Sequence, residues 1–161
     1  MNYFAVVPML DPAILQLANA VGADDVGSEA AWASLREQGA SAVPYLAAAF
    51  PLARRWQGRA ALVFHAIRHA RGNPEALALG FEALADKAYM VRYRACGLLA
   101  YALHPDALPA LEPLLAHRDP RTREDAAAAI DAIRAGNHHF FVDRGHSGRS
   151  FWHVNEGDSP L

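Results

Sequence analysis

The sequence predicts an all-α fold: a short solenoid of antiparallel helix pairs, closed by a C-terminal β-hairpin cap. Three observations carry that expectation. Alanine fills 35 of the 161 positions, all before residue 136, and alanine is the residue a helix accommodates at least cost. Asp11-Pro12, Asn73-Pro74 and Asp119-Pro120 each place a capping side chain before a proline, whose locked φ and missing N–H suit the first helical position. Residues 74–104 and 105–136 align without a gap at a period of 31.

Between these signals helices are expected at 12–20, 28–38, 42–52, 56–70, 74–85, 89–103, 106–117 and 120–134, with Ser28 and Ser41 capping the second and third. In the aligned copies Pro74 matches Pro105, Leu77 matches Leu108, Leu84 matches Leu115, Arg92 matches Arg123 and Ala95 matches Ala126. Val91, Ala95, Leu98 and Ala102 correspond to Thr122, Ala126, Ala129 and Ile133, one helical face at i, i+4, i+7 and i+11. Small residues there allow close approach of paired helices. A weaker copy occupies 41–71, where Val43-Pro44 resembles Leu108-Pro109 and Arg59 stands near the place of Arg92. The chain therefore divides into a helical repeat domain over 1–136 and a hairpin and tail over 137–161.

The segments LADKAYMVRYRACGLLAYAL and LAHRDPRTREDAAAAIDAI resemble the short bacterial form of the HEAT repeat, the PBS-lyase HEAT-like type. The resemblance implies an α-solenoid in which Arg92 and Arg123 bond to turn carboxylates, supplied by Asp86 and Asp119, or to exposed carbonyls. It also implies a non-enzymatic protein-interaction module: an adaptor, a regulator or an immunity-like binding protein. The alternatives are a bilin lyase-like enzyme, from the lyases that share the repeat type, and a metal-dependent enzyme using the histidine-rich tail.

A net charge of −2 argues against nucleic acid as partner and gives no pull toward a membrane. No run approaches the ~18 apolar residues of a membrane span. The stretch before Arg36 has no basic residue to make a signal peptide, and the lone Cys96 can form no internal disulfide, so a cytoplasmic location is expected. No phosphate loop, nucleophile elbow, CxxC or HExxH appears, so neither an enzyme nor a cofactor is expected. The interval from Gln38 to Asn73 holds five arginines and no carboxylate, whereas residues 1–35 hold four acids and no base; either the two regions face each other or the interval meets an acidic protein partner. Arg59, Arg68, Arg71, Tyr93, Arg94 and Tyr101 are the candidate partner-binding residues. On the helix through this interval Ala60, Val63, Phe64 and Ile67 read as the apolar side, and His65, Arg68 and His69 as the polar side.

The tail reads differently. HFFVDR and RSFWHV flank a Gly-His-Ser-Gly turn, so a β-hairpin is expected over 139–154, with Phe140, Phe141, Phe151 and Trp152 covering the last helix pair. Asp143, His146, Trp152 and His153 form a second candidate site. With His138 or His139 they hold atoms suited to metal or acid–base work, but the spacing matches no ligand pattern, and no bound metal is expected.

Overall fold

Helix follows helix along residues 9–159, the part of the chain that the computed structural model describes. The helices are α1 (Pro12–Ala23), α2 (Ser28–Arg36), α3 (Val43–Ala49), α4 (Trp56–Ile67), α5 (Pro74–Leu84), α6 (Tyr89–Ala102), α7 (Leu108–Leu111) and α8 (Pro120–Ala135). Single 3₁₀ turns extend α3 and flank α7 on both sides. The N-terminal residues on which the signal-peptide expectation partly rests lie outside the described residues.

The capping prolines behave as their chemistry requires. Asp11 accepts from the Ala13 N–H, Asn73 from Ala76 and Asp119 from Arg121, each satisfying an orphan donor of the helix it opens. Neither serine caps. α2 begins from Gly27 in the left-handed region at φ 105°, and α3 continues out of a preceding 3₁₀ turn, so neither start leaves a place for a side-chain cap.

The pairs stack in two layers. α3 packs on α5, while the second helices form a row in which α4 packs on α6 and α6 on α8. α1 joins the beginning of this row by direct contact with α4. The contact is backbone to backbone, because a Cβ on Gly58 would fall 1.7 Å from the Gly22 carbonyl oxygen. Val91, Ala95 and Leu98 of α6 and Thr122, Ala126, Ala129 and Ile133 of α8 are all buried, which is the face that the internal alignment picks out; Ala102 is half-buried.

The β-hairpin cap is not found. Among the described residues there is no strand; residues 138–141 form a 3₁₀ turn instead, and the rest of the tail is turns and extended chain. Side chains take the backbone bonds that a strand ladder would have used. Asp143 accepts from the N–H groups of Ser147 and Gly148, Asp158 from those of Val154 and Asn155, and His139 Nδ1 from that of Trp152. The tail packs on α8 without sealing it: Arg123, Glu124, Ala127 and Arg134 stay in solvent. The tail lies across the second-helix row, against α8 and α6, and reaches α4.

Candidate functional site

An arginine–aspartate ladder runs along the turns between paired helices. Arg59 Nη1 donates to the carbonyls of Ala53 and Arg54, Arg92 Nη1 to those of Asp86 and Lys87, and Arg123 Nη1 to those of His117 and Arg118. The three arginines are thus repeat equivalents, including the one from the weak copy. Arg59 then pairs with Asp86 of the next turn at 2.7 Å, and Arg92 with Asp119 at 3.2 Å. Arg92 Nε also donates to the buried Thr122 hydroxyl. Hydrogen bonds from Arg121 draw the Asp119 carboxyl down to about 2. Asp86 also lies below the usual carboxylate range: burial pushes it up, but bonds from Arg59 and the Ala88 N–H outweigh that. Arg59 is 11% exposed in this ladder, and the stacking of repeats occupies it.

The tail occupies part of the second-helix row. Its anchor is Trp152, which with Phe141 sits on Gly97 of α6, where a Cβ would lie 3.3 Å from Phe141 and 3.4 Å from Trp152. Tyr101 is buried beneath the tail, its hydroxyl donating to the Asp158 carboxylate at 2.9 Å. Arg71 donates through Nε to the Tyr101 carbonyl and through Nη2 to His138 Nδ1, leaving His138 Nε2 to donate to the Trp152 carbonyl. That arrangement needs neutral imidazole, and burial, with Arg71 and His139 nearby, lowers the His138 pKa. Asn155 completes the fastening by donating to the Arg68 carbonyl at the end of α4.

Beside the tail the row stays open, and here the second-helix face has a different character. Phe64, assigned to the apolar side of α4, is 51% exposed. The Arg94 guanidinium lies 4.3 Å over its ring. On one side of this pair a groove of about 210 Å³ runs past Ile67, Tyr93, Phe141 and Trp152. On the other a cavity of about 250 Å³ is bounded by Trp32, Arg36, His65, Arg68 and His153. Among the described residues no carboxylate lines either. His65 stacks on Trp32 at 3.5 Å, and burial, with Arg94 and Arg68 nearby, lowers its pKa to about 4, so the positive charge here comes from arginine.

Of the residues singled out from sequence, Arg68, Tyr93 and Arg94 come together around this open face, whereas Arg71 and Tyr101 are held under or against the tail and Arg59 in the ladder. The second candidate site separates: Asp143 caps its own turn, His146 pairs with Asp131 and stacks on Phe140, His153 meets Ser159, and Trp152 is the anchor on α6. Phe151, expected to help cover the last pair, is 50% exposed. No group of three or more metal-ligating side chains is gathered among the described residues, and no helix among them is long and apolar enough to cross a membrane. Phe64, Trp32 and Arg36 escaped sequence reasoning. Phe64 continues the apolar stripe of α4, and only the position of α6 and the tail leaves it uncovered.

Residues 77–138 match the family model for HEAT repeats. No curated protein and no solved structure matches the chain. The stacked helix pairs, with an arginine repeated at the same place in each, agree with that match, and residues 77–138 of the chain are HEAT repeats.

Proposed function

We propose that this chain is a non-enzymatic protein-interaction module that takes its partner on the open part of the second-helix row. HEAT repeats mediate contacts between proteins, which supplies the general role. The observation that carries the specific reading is the exposed Phe64 under Arg94, in a face that has Arg36 and Arg68 on its rim and no lining carboxylate among the described residues. An exposed aromatic joined to arginine is the composition of an interface centre. The partner is a protein with an acidic surface, and the module acts as an adaptor, a regulator or an immunity-like binder in the cytoplasm, where the buried Cys96 thiol, its pKa pushed up to about 12 by burial, stays reduced.

The test is affinity capture from the source cell with wild-type protein and with the double variant Phe64→Glu, Arg68→Glu, followed by reconstitution with the purified partner. Both positions are exposed, so the melting midpoint should stay within a few degrees while partner binding is lost. Equal binding by both proteins would move the interface elsewhere.

A further inference from the structure

The second-helix row carries one construction twice. The Arg71 guanidinium lies 4.1 Å over the Tyr101 ring, and the Arg94 guanidinium lies 4.3 Å over the Phe64 ring. Around Tyr101 the construction is filled. The tail sets the Asp158 carboxylate 3.9 Å from Arg71 and against the Tyr101 hydroxyl, and lays the Trp152 ring edge-on to Tyr101 at 5.8 Å. Around Phe64 it is half made: the ring and guanidinium are in place, Trp152 again forms a wall, and no acid lines the groove among the described residues. Arg94 has no hydrogen-bond or ion-pair partner among the described residues, although its neighbour Arg92 has several.

A guanidinium half withdrawn from water, with an aromatic ring but no counter-charge beside it among the described residues, recovers only part of its lost hydration. A carboxylate brought to it would form charge-assisted, paired hydrogen bonds in that same partly desolvated setting. Arg68 and Arg36 add attraction from the adjoining rim. The groove, at about 210 Å³, is smaller than the ~300 Å³ at which sites for drug-sized molecules begin, and has room for one large side chain.

We propose that the Arg94–Phe64 groove receives a short acidic segment of the partner protein. Its carboxylate pairs with Arg94, and a neighbouring apolar or aromatic side chain enters the groove between Ile67, Tyr93 and Phe141. Nearby, Asp158 and Trp152 of the tail bring a carboxylate to 3.9 Å from Arg71 and an aromatic ring against Tyr101. The proposal rests on the interaction-module reading and narrows it to a carboxylate with an adjacent hydrophobic anchor.

A random dodecapeptide library displayed on phage, selected on the full-length protein, tests this directly. Enriched peptides are resynthesised, also with their carboxylates replaced by amides, and measured by fluorescence anisotropy against wild type, Arg94→Gln and Phe64→Ser. The expected motif is Asp or Glu next to Phe, Trp or Leu. Arg94→Gln and the amide peptide should each weaken binding roughly tenfold, and the two losses should not add. Binding should also weaken with salt. Circular dichroism melts confirm that the variants fold. No enrichment, enriched peptides without a carboxylate, acidic peptides indifferent to Arg94→Gln, or self-association in place of peptide binding would overturn the proposal. If the Phe64→Glu, Arg68→Glu double variant loses its partner while selected peptides lack an acid, this inference fails and the interaction surface stands. If that variant keeps its partner, the surface itself is wrong.

Discussion

Arg92 and Arg94 stand two residues apart on α6 and belong to opposite regions of the molecule. Two positions along a helix do not share a face. Arg92 turns toward the next repeat, is 6% exposed, and donates to the Thr122 hydroxyl, the Asp119 carboxylate and two backbone carbonyls. Arg94 turns toward the open groove and has only an aromatic ring beneath it. The same side chain is a strut in one place and a receptor in the other. What separates them is saturation: the ladder side gives its guanidinium four internal acceptors, whereas the groove side gives its guanidinium no hydrogen-bond or ion-pair partner among the described residues.

The strongest way to break this contrast is to remove the core both arginines rely on. Leu98, fully buried on α6, changed to Asp should leave no cooperative melt by circular dichroism, since an unpaired buried charge costs several kcal/mol. Arg92→Met should cost about 3 kcal/mol in urea unfolding, because it strips the partner from the Thr122 hydroxyl and from two turn carbonyls. A loss under 1 kcal/mol there would deny the ladder its structural role. Trp152→Ala should cost about 2 kcal/mol, while Phe151→Ala, at a half-exposed ring, should stay within about 0.5 kcal/mol.

A smaller effect is expected from acid. Burial pushes the Asp158 pKa up, but bonds from the Asn155 and Val154 N–H groups and the Tyr101 hydroxyl outweigh it and hold the carboxyl below its ordinary value. A carboxyl lowered in the folded state stabilises above its unfolded pKa, about 3.9, and that stability disappears as the pH falls through the lower folded value. Trp152 fluorescence should therefore report the tail loosening on acidification below roughly pH 4, with the step absent in Asp158→Asn. Least of all should happen to stability in Arg94→Gln, within about 0.5 kcal/mol, since no bond is lost. A large destabilisation would make Arg94 a second strut and erase the contrast.

Much of the helical body is legible from residue spacing. Helix starts at Pro12, Pro74 and Pro120 follow from cap and proline chemistry confined to a few neighbouring residues. The ladder was half legible. Arg92 and Arg123 announce themselves by aligning at 31 residues, but Asp86 and Asp119 do not align with each other, and Arg59 is displaced from that period; only the carbonyl pairs each arginine holds reveal the three as equivalent. The tail misled. Alternating aromatics around a glycine turn resemble a hairpin, yet Asp143, His139 and Asp158 capture its N–H groups locally.

By itself, then, the sequence determined the helices, their pairing and the residues that face inward, because each depends on contacts three to four residues apart or on a repeated unit. Tertiary structure alone decided where the tail lies, and with it which arginines are spent and which remain open. Those outcomes rest on bonds spanning 57 residues between Tyr101 and Asp158, 67 between Arg71 and His138, and 87 between Arg68 and Asn155. No local periodicity encodes such pairings; they arise because Gly97 leaves room for two aromatic rings and the chain can satisfy its backbone by turning back across the row.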